Sequence, residues 1–204
     1  LGADAACVLL YNPRTQLLEP ARERGLRRAL LDISVGRPDE GLAGIVFQTR
    51  SMVAISSFDE IALRTERDRT LAGAFGSYYA LPLQARGEIK GVLEIMYRAR
   101  YQPDLAWWVF VEALALQAAI AIDTAALFEQ LQHAHAELTH SYDATIQGWS
   151  RALDLRDHDT EGHSARVTEL SLQLARHMQV PSADLDHIRR GALLHDIGKM
   201  GVPD

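Results

Sequence analysis

The stretch YYALPLQARGEIKGVLEIMY, residues 78–97, decides the fold of the first part of the chain. Two apolar arms flank the turn signal Arg86-Gly87-Glu88, which is the pattern of a β-hairpin. The second arm, residues 91–97, is apolar at almost every position, as expected of a strand buried on both faces. Pro82 in the first arm suits an edge position or a β-bulge. The stretch therefore predicts a hairpin whose second strand lies inside the domain.

Shorter strand signals precede this hairpin. Residues 6–11 form an apolar run that ends at the turn signal Asn12-Pro13, and Leu17–Arg24 is a weaker strand. Residues 52–55 predict a third strand, and Gly41–Thr49 has the apolar spacing of a short helix. The first hundred residues are therefore predicted to form short strands with one or two helices.

A single long helix is predicted after Pro103, because residues 104–156 contain no proline and only one glycine, Gly148. Spacings of four and three residues alternate from Thr124 onward, as in a heptad seam. The seam consists of Thr124, Phe128, Leu131, His135, Leu138, Tyr142, Thr145, Trp149 and Ala152. Three of these positions are polar, which favours a weak coiled coil that transmits a signal. We expect a parallel homodimer through this helix.

The start of this helix is apolar enough to require a membrane test. Residues 105–122 are apolar except for Glu112 and Gln117, and their length is near the lower limit for a spanning helix. Acidic residues flank the segment at Asp104 and Asp123, and no basic anchors are present. These features favour a core or dimer-interface helix, so no membrane partner is expected.

The composition is that of an ordinary globular protein, with 48% hydrophobic and 24% charged residues among 204. The net charge is −6 and no dense run of Lys and Arg occurs, which argues against a nucleic-acid polymer as partner. Cys7 is the single cysteine, so no internal disulfide can form, and a cytoplasmic location is expected. The chain opens on Leu1 without the features of a signal peptide, and we expect both ends to lie within a longer protein.

Histidines and acidic residues concentrate in RDHDTEGH, residues 156–163, and in HDIGK, residues 195–199. Imidazole and carboxylate groups are the natural ligands of first-row divalent metals. Asp159 and His163 are four residues apart and share a face if that segment is helical. His195 and Asp196 are adjacent and can reach one metal and a water, or two neighbouring metals. The two segments therefore predict three or four ligands, which is an incomplete site for a two-metal hydrolase of a phosphodiester.

Two helices are predicted to carry these residues. The first spans residues 160–178, and the second runs from the N-cap Ser182 to His195. Gly198 is expected to end the second helix, which frees Lys199 to turn back into the site as a cation for phosphate.

The segments GHSARV, residues 162–167, and LHDIGKMGVPD, residues 194–204, resemble the start of an HD-GYP domain, a subgroup of the HD phosphohydrolases. The resemblance implies an all-α domain that binds two or three iron or manganese ions and hydrolyses cyclic di-GMP. It implies that His163, His195 and Asp196 are metal ligands, with Asp196 and Lys199 in the catalytic machinery and Lys199 contacting substrate phosphate. Asp159 stands where members with three metals carry a glutamate. The remaining ligands and the Gly-Tyr-Pro motif fall after residue 204.

Residues 1–125 resemble a GAF domain that lacks its opening helix. The matching segments are GADA at residues 2–5, GLAG at 41–44, LPL at 81–83 and GVLEI at 91–95. The resemblance implies an α+β fold, with an antiparallel sheet and flanking helices, that senses a small molecule or chromophore. Cys7 lies away from the position of bilin-attaching members, and residues 58–60 lack the spacing of a cyclic-nucleotide signature. The ligand therefore stays unknown.

Three regions follow: a GAF sensor domain at residues 1–125, a connecting coiled-coil helix at 126–152, and a truncated HD-GYP domain at 153–204. The leading hypothesis is a GAF-regulated phosphodiesterase that hydrolyses cyclic di-GMP in the full-length protein, the fragment alone being inactive. Two alternatives stay open: a signalling scaffold with a degenerate hydrolase domain, and a hydrolase of another cyclic nucleotide or dinucleotide.

Overall fold

The computed structural model describes residues 1–27, 30, 35–61, 63–156 and 162–201. The chain divides into two compact units, Leu1–Phe128 and Glu129–Asp204.

The first unit contains a five-stranded antiparallel sheet. Its strands are β1 (Ala5–Asn12), β2 (Leu17–Arg24), β3 (Val53–Ile55), β4 (Ser77–Ala85) and β5 (Glu88–Tyr97), in the order β2-β1-β5-β4-β3. The predicted hairpin is confirmed as β4 and β5. Arg86 and Gly87 form its two-residue turn with φ values of 51° and 80°, and two positive φ values match the right-handed twist of paired strands.

Helices cover both faces of this sheet. Helices α1 (Gly41–Thr49) and α2 (Glu66–Ala74) lie over one face, and a 3-10 helix, Phe58–Glu60, precedes α2. The first part of α3 (Leu105–Arg156) covers the other face through Trp107, Val111, Ala115 and Ala119. The predicted α+β class, the long helix and the sheet with flanking helices are therefore confirmed.

Strand β5 contributes alternate side chains to two separate cores. Val92 and Met96 point into the cluster under α1 and α2, whereas Leu93 and Ile95 point into the cluster under α3. Successive side chains of a strand point to opposite faces, so a strand covered on both sides needs apolar residues at nearly every position. Gly91 meets a further constraint, because a Cβ there would lie 2.0 Å from the Leu9 carbonyl oxygen of β1.

A buried carboxylate interrupts the apolar run of β5. Glu94 is fully buried, and Arg67 from α2 donates to it with an Nη1–Oε1 distance of 2.9 Å. The Tyr78 hydroxyl donates to the same oxygen at 2.6 Å. Burial, together with the charge of Glu94, raises the pKa of Tyr78 well above its ordinary value, so the hydroxyl stays a donor. The three groups satisfy one another and tie α2 to the centre of the sheet.

The start of α3 is held by a cap and by aromatic packing. The Asp104 carboxylate accepts from the Trp107 amide at 2.8 Å, as an N-cap does. The Trp107 indole donates to the Tyr97 hydroxyl at 2.8 Å, and Tyr79 packs against Trp107 with ring centroids 5.0 Å apart. By length and composition alone, Leu105–Asp154 of this helix could cross a membrane.

Near the end of the first unit, Asp123 of α3 is buried and bridges to the β4–β5 hairpin. Lys90 lies 2.9 Å from one carboxylate oxygen, and Arg86 lies 3.2 Å from the other. These ion pairs hold α3 at Asp123, near the last residues of the first unit, against the hairpin turn.

The second unit contains the rest of α3 with α4 (His163–His177), α5 (Ser182–Leu193) and a 3-10 helix, Ile197–Gly201. Two predicted boundaries were wrong. Pro181, not Ser182, occupies the N-cap position of α5. The helix ends at Leu193, before His195. The Leu194 amide is shared between the Arg190 and Gly191 carbonyls, and the His195 amide turns to the Ala192 carbonyl, so the last turn tightens. Gly198 lies inside the 3-10 helix and does not end α5.

We predict that Glu94→Ala lowers the free energy of unfolding by about 3–5 kcal/mol, because it removes the buried carboxylate to which Arg67 and Tyr78 both donate. The measurement is denaturant unfolding of the purified protein. Asp59→Ala is the matched control, since it removes a carboxylate from the exposed pair with Arg100 and should change stability little. Equal unfolding midpoints for the two variants would contradict this role of Glu94.

Candidate metal site

The second unit brings three of the predicted ligand residues together. His163 is the first residue of α4, and His195 and Asp196 lie in the turn between α5 and the 3-10 helix. The two imidazole rings have centroids 5.3 Å apart. One donor atom from each of the three side chains lies within 4.8 Å of the others. The tight turn after Leu193 thus places an imidazole and a carboxylate from adjacent residues beside the start of α4.

The orientation of His195 leaves one ring nitrogen available. Its Nδ1 lies 2.8 Å from the Ala192 carbonyl oxygen. A carbonyl oxygen only accepts, so Nδ1 carries the hydrogen, and in the neutral ring the lone pair is therefore on Nε2. That nitrogen lies 3.3 Å from an Asp196 carboxylate oxygen. A backbone carbonyl that fixes the tautomer of a histidine is the usual support of a metal ligand.

Asp196 is held in its ionised form. The Lys199 ammonium lies 2.9 Å from its Oδ2. The hydrogen bond from Lys199, with smaller effects from His195 and His163, holds the pKa of Asp196 below its ordinary value. The site therefore combines a carboxylate, two imidazoles and one cation, and it is open to solvent at His195.

The donor set fits a divalent first-row metal. Two imidazole nitrogens and one carboxylate oxygen are ligands that iron, manganese and zinc accept. Three protein donors leave coordination positions for water or substrate, as a hydrolytic metal site requires. The residues are therefore suited to hold part of a metal centre.

Other predicted or candidate residues lie elsewhere. Asp159, with its neighbours Asp157 and His158, falls outside the described residues. His133, His135 and His140 lie along α3, and within the described ranges His163, His195 and Asp196 form the one cluster of three potential ligands. Cys7 is buried in β1, and burial raises the pKa of its thiol to about 12, which excludes a reactive thiolate at neutral pH. The sequence did not indicate the contact between His195 and the Ala192 carbonyl, because every residue type has a backbone carbonyl.

The first unit has a cavity of about 300 Å³ between the sheet and the starts of α1 and α2. Leu9, Leu18 and Leu42 supply apolar wall, and Thr65, Arg67 and Asp68 supply polar wall. Asp68 accepts from the Leu42 amide at 3.3 Å and Arg67 is bound to Glu94. The cavity is large enough for a small molecule, and its lining does not define a ligand class.

Residues 1–123 match the model of the GAF domain family, which is more than half of the chain. The chain belongs to the GAF domain family. A partial HD domain follows its GAF domain, since residues 160–204 match the HD domain family. The first match confirms the resemblance to a GAF domain, and the second confirms the coarser part of the other resemblance, that to an HD domain.

A curated relative of the GAF–HD chain is the 3′3′-cGAMP-specific phosphodiesterase 3 of Vibrio cholerae serotype O1, 39% identical over 70 residues. These residues are 34% of this chain and 15% of the relative, so the chain spans a small part of that protein.

Two solved structures share the fold of the GAF domain at 19% identity. The GAF domain of a Coxiella burnetii phosphoenolpyruvate-protein phosphotransferase has a TM-score of 0.54 and covers 60% of this chain and 73% of its own. A GAF domain/HD domain protein from Geobacter sulfurreducens has a TM-score of 0.52, and the match covers 60% of this chain and 82% of that protein.

We predict that Mn²⁺ binds the full-length protein and raises its melting temperature, because a ligand that binds only the folded state stabilises it. Substituting His163, His195 or Asp196 by alanine should weaken Mn²⁺ binding by about 10-fold or more in isothermal titration calorimetry. His177→Ala is the matched control, since it removes an exposed imidazole from the other end of α4. Unchanged affinity in all three site variants would rule out this cluster as ligands.

Proposed function

We propose that the full-length protein is a GAF-regulated signalling phosphodiesterase that uses divalent metal ions to hydrolyse cyclic di-GMP. The observation that carries the proposal is the cluster of His163, His195 and Asp196 within 4.8 Å, placed in an HD domain that follows a GAF domain. The relationship to a phosphodiesterase of a cyclic dinucleotide supports the same class of reaction. Within the HD superfamily, we assign the domain to the HD-GYP subgroup on its LHDIGKMGVPD segment.

In this proposal His163, His195 and Asp196 hold iron or manganese, two or three ions in the complete domain. Bound metal neutralises a phosphodiester and lowers the pKa of the attacking water. Asp196 is ionised beside Lys199, so its carboxylate would bind the metal and would be the group placed to accept the proton of the attacking water. Lys199 supplies a positive charge 2.9 Å from Asp196, and its ammonium would contact a non-bridging phosphate oxygen of the substrate. We propose Asp159 as a further ligand, and the remaining ligands come from residues after 204.

A second candidate substrate is 3′3′-cGAMP, which the name of the Vibrio cholerae relative favours. Both candidates are cyclic dinucleotides in which phosphodiesters join two purine nucleosides. The bond that the metal site would hydrolyse is therefore of the same kind in both. Selectivity then depends on contacts with the bases. Incubating the manganese- or iron-loaded protein with each substrate, followed by chromatography of the linear products, separates the two candidates.

We predict that full-length protein loaded with Mn²⁺ or Fe²⁺ cleaves one of these substrates. His195→Ala and Asp196→Ala should lower kcat by at least about a hundredfold, because each removes a charged or metal-holding group at the reacting phosphate. His177→Ala should leave kcat unchanged. A metal-loaded protein that leaves both substrates intact would instead support the scaffold with a degenerate hydrolase domain.

We also propose that the protein is a cytoplasmic parallel homodimer joined along α3. In the first unit, Val109, Phe110 and Leu116 of α3 are exposed on the side away from the sheet. In the second unit, Leu131, Leu138, Tyr142 and Trp149 are each more than half exposed and follow the heptad spacing. A second copy would cover these side chains, whereas the buried Asp123 and its basic partners make a spanning helix costly. A ligand of the GAF domain would regulate the hydrolase by changing the packing of this helix pair.

We predict that Leu131→Glu shifts the protein from dimer to monomer in analytical ultracentrifugation, because it places two carboxylates opposite each other in the seam. Gln130→Glu is the matched control: it introduces the same side chain at the neighbouring exposed position, outside the seam. A wild-type protein that sediments as a monomer at micromolar concentration would refute the dimer.

A further inference from the structure

Two carboxylates of α3 connect this helix to the two short helices that carry the metal cluster. Asp154 bonds to the start of α4, and Asp143 bonds to the end of α5. All of these residues lie in the second unit. Neither carboxylate belongs to the metal cluster itself.

Asp154 caps α4 from another helix. The N-cap residue of α4 is Gly162, with φ 77°, and it provides no side-chain cap. The Asp154 carboxylate instead accepts from the Ser164 hydroxyl at 2.7 Å and lies 3.5 Å from the Ser164 amide. A carboxylate at a helix N-terminus satisfies unpaired amides and interacts favourably with the helix dipole. Ser164 is buried and follows His163 directly, so this bond fixes the first turn of α4 beside a metal ligand.

Asp143 holds two successive arginines of α5. Arg190 Nε lies 2.9 Å from Oδ1, and Arg189 Nη2 lies 2.6 Å from Oδ2. Hydrogen bonds from Arg190 and then Arg189 hold the pKa of Asp143 below its ordinary value. Each carboxylate oxygen therefore has its own guanidinium, which restrains α5 more than a single ion pair does. Arg189 and Arg190 lie in the last turns of α5, from which the chain passes directly to His195.

The spacing of the two carboxylates places them on one face of α3. Positions 143 and 154 are eleven residues apart, which is three helical turns with a residual rotation of about 20° and a rise of about 16 Å. The same face of α3 therefore binds the start of α4 through Asp154 and the end of α5 through Asp143, at two positions along the helix axis. The apolar core of this unit is small, with Leu153 and Ala175 as its buried hydrophobic residues among those described. The polar links thus supply much of the restraint between the three helices.

We propose that Asp143 and Asp154 are positioning residues that set the distance between His163 and the His195-Asp196 pair. The inference rests on the proposed metal site, and it adds that the geometry of this site is determined by α3. A displacement or rotation of α3 would then change the metal site without any contact between α3 and the metal.

The test uses the full-length protein with Mn²⁺ as the probe. Asp143→Asn and Asp154→Asn keep the size of the side chain and weaken the links. We expect each to lower Mn²⁺ affinity about tenfold in calorimetry, as supporting residues of metal ligands do. We also expect altered visible absorption of the Co²⁺-loaded protein, which reports ligand geometry. Two controls keep α3 untouched: Asp186→Asn removes the exposed partner of Arg189 within α5, and Glu169→Gln alters an exposed pair within α4. Both should bind Mn²⁺ as the wild type does.

Charge exchange separates positioning from general stability. Asp143→Arg should weaken Mn²⁺ binding, and adding Arg189→Asp together with Arg190→Asp should restore much of it, because both ion pairs are then rebuilt with reversed charges. Variants with a lower melting temperature but wild-type Mn²⁺ affinity and Co²⁺ spectrum would overturn the inference. If Asp143→Asn is too unstable to titrate, the variant with all three charges exchanged decides the question. Recovery of Mn²⁺ affinity in that variant supports positioning, and failure to recover it refutes positioning. Wild-type Mn²⁺ binding that survives His195→Ala would instead overturn the proposed site.

Discussion

Strand β5 is covered on both faces, and this constraint determines what the rest of the GAF domain has to supply. One layer cannot bury both sides of a strand, so α1 and α2 lie over one face and α3 lies over the other. The first turns of α3 must therefore be apolar, and they carry Trp107 and Val111 for this reason. The apolar character that makes α3 similar to a membrane span thus follows partly from its role as the second cover of the sheet.

The buried Glu94 shows how a polar group fits into such a core. A carboxylate without solvent is costly unless its charge and its oxygens have partners. Arg67 and Tyr78 come from two different elements and meet these needs together. The network can form only when α2, β4 and β5 are correctly placed, so it favours the native arrangement over alternatives in which any of the three is displaced.

Much of this architecture could be predicted from sequence because its signals are local. The hairpin at 78–97 combines an apolar run with a turn of positive φ, and α3 contains no proline over its whole length. The metal cluster was also accessible, since His163, His195 and Asp196 belong to short recognisable segments. The end of α5 was not, because the tightened turn at Leu194 depends on backbone bonds that leave no clear residue pattern.

The ion pairs that link distant elements could not be predicted from the sequence either. Arg67 and Glu94 are 27 positions apart, and Asp143 lies 46 and 47 positions from its two arginines. Each of these residues resembles an ordinary surface charge in a polar helix or a misplaced charge in a strand. Only the packing of the helices shows which charges face each other. In this chain the residues of the candidate site are recognisable in sequence, whereas the residues that hold them in place are not.

The distribution of the three tryptophans has a practical consequence. Trp107 is buried among tyrosines in the GAF core and Trp108 packs edge-on against it, whereas Trp149 of the second unit is 51% exposed. Indole emission shifts to longer wavelength in polar surroundings, so covering Trp149 by a second copy would shift its emission to shorter wavelength, whereas the emission of the buried Trp107 stays at the blue edge of the spectrum in either state. Wavelength-resolved emission can therefore follow the two units separately, without any attached dye.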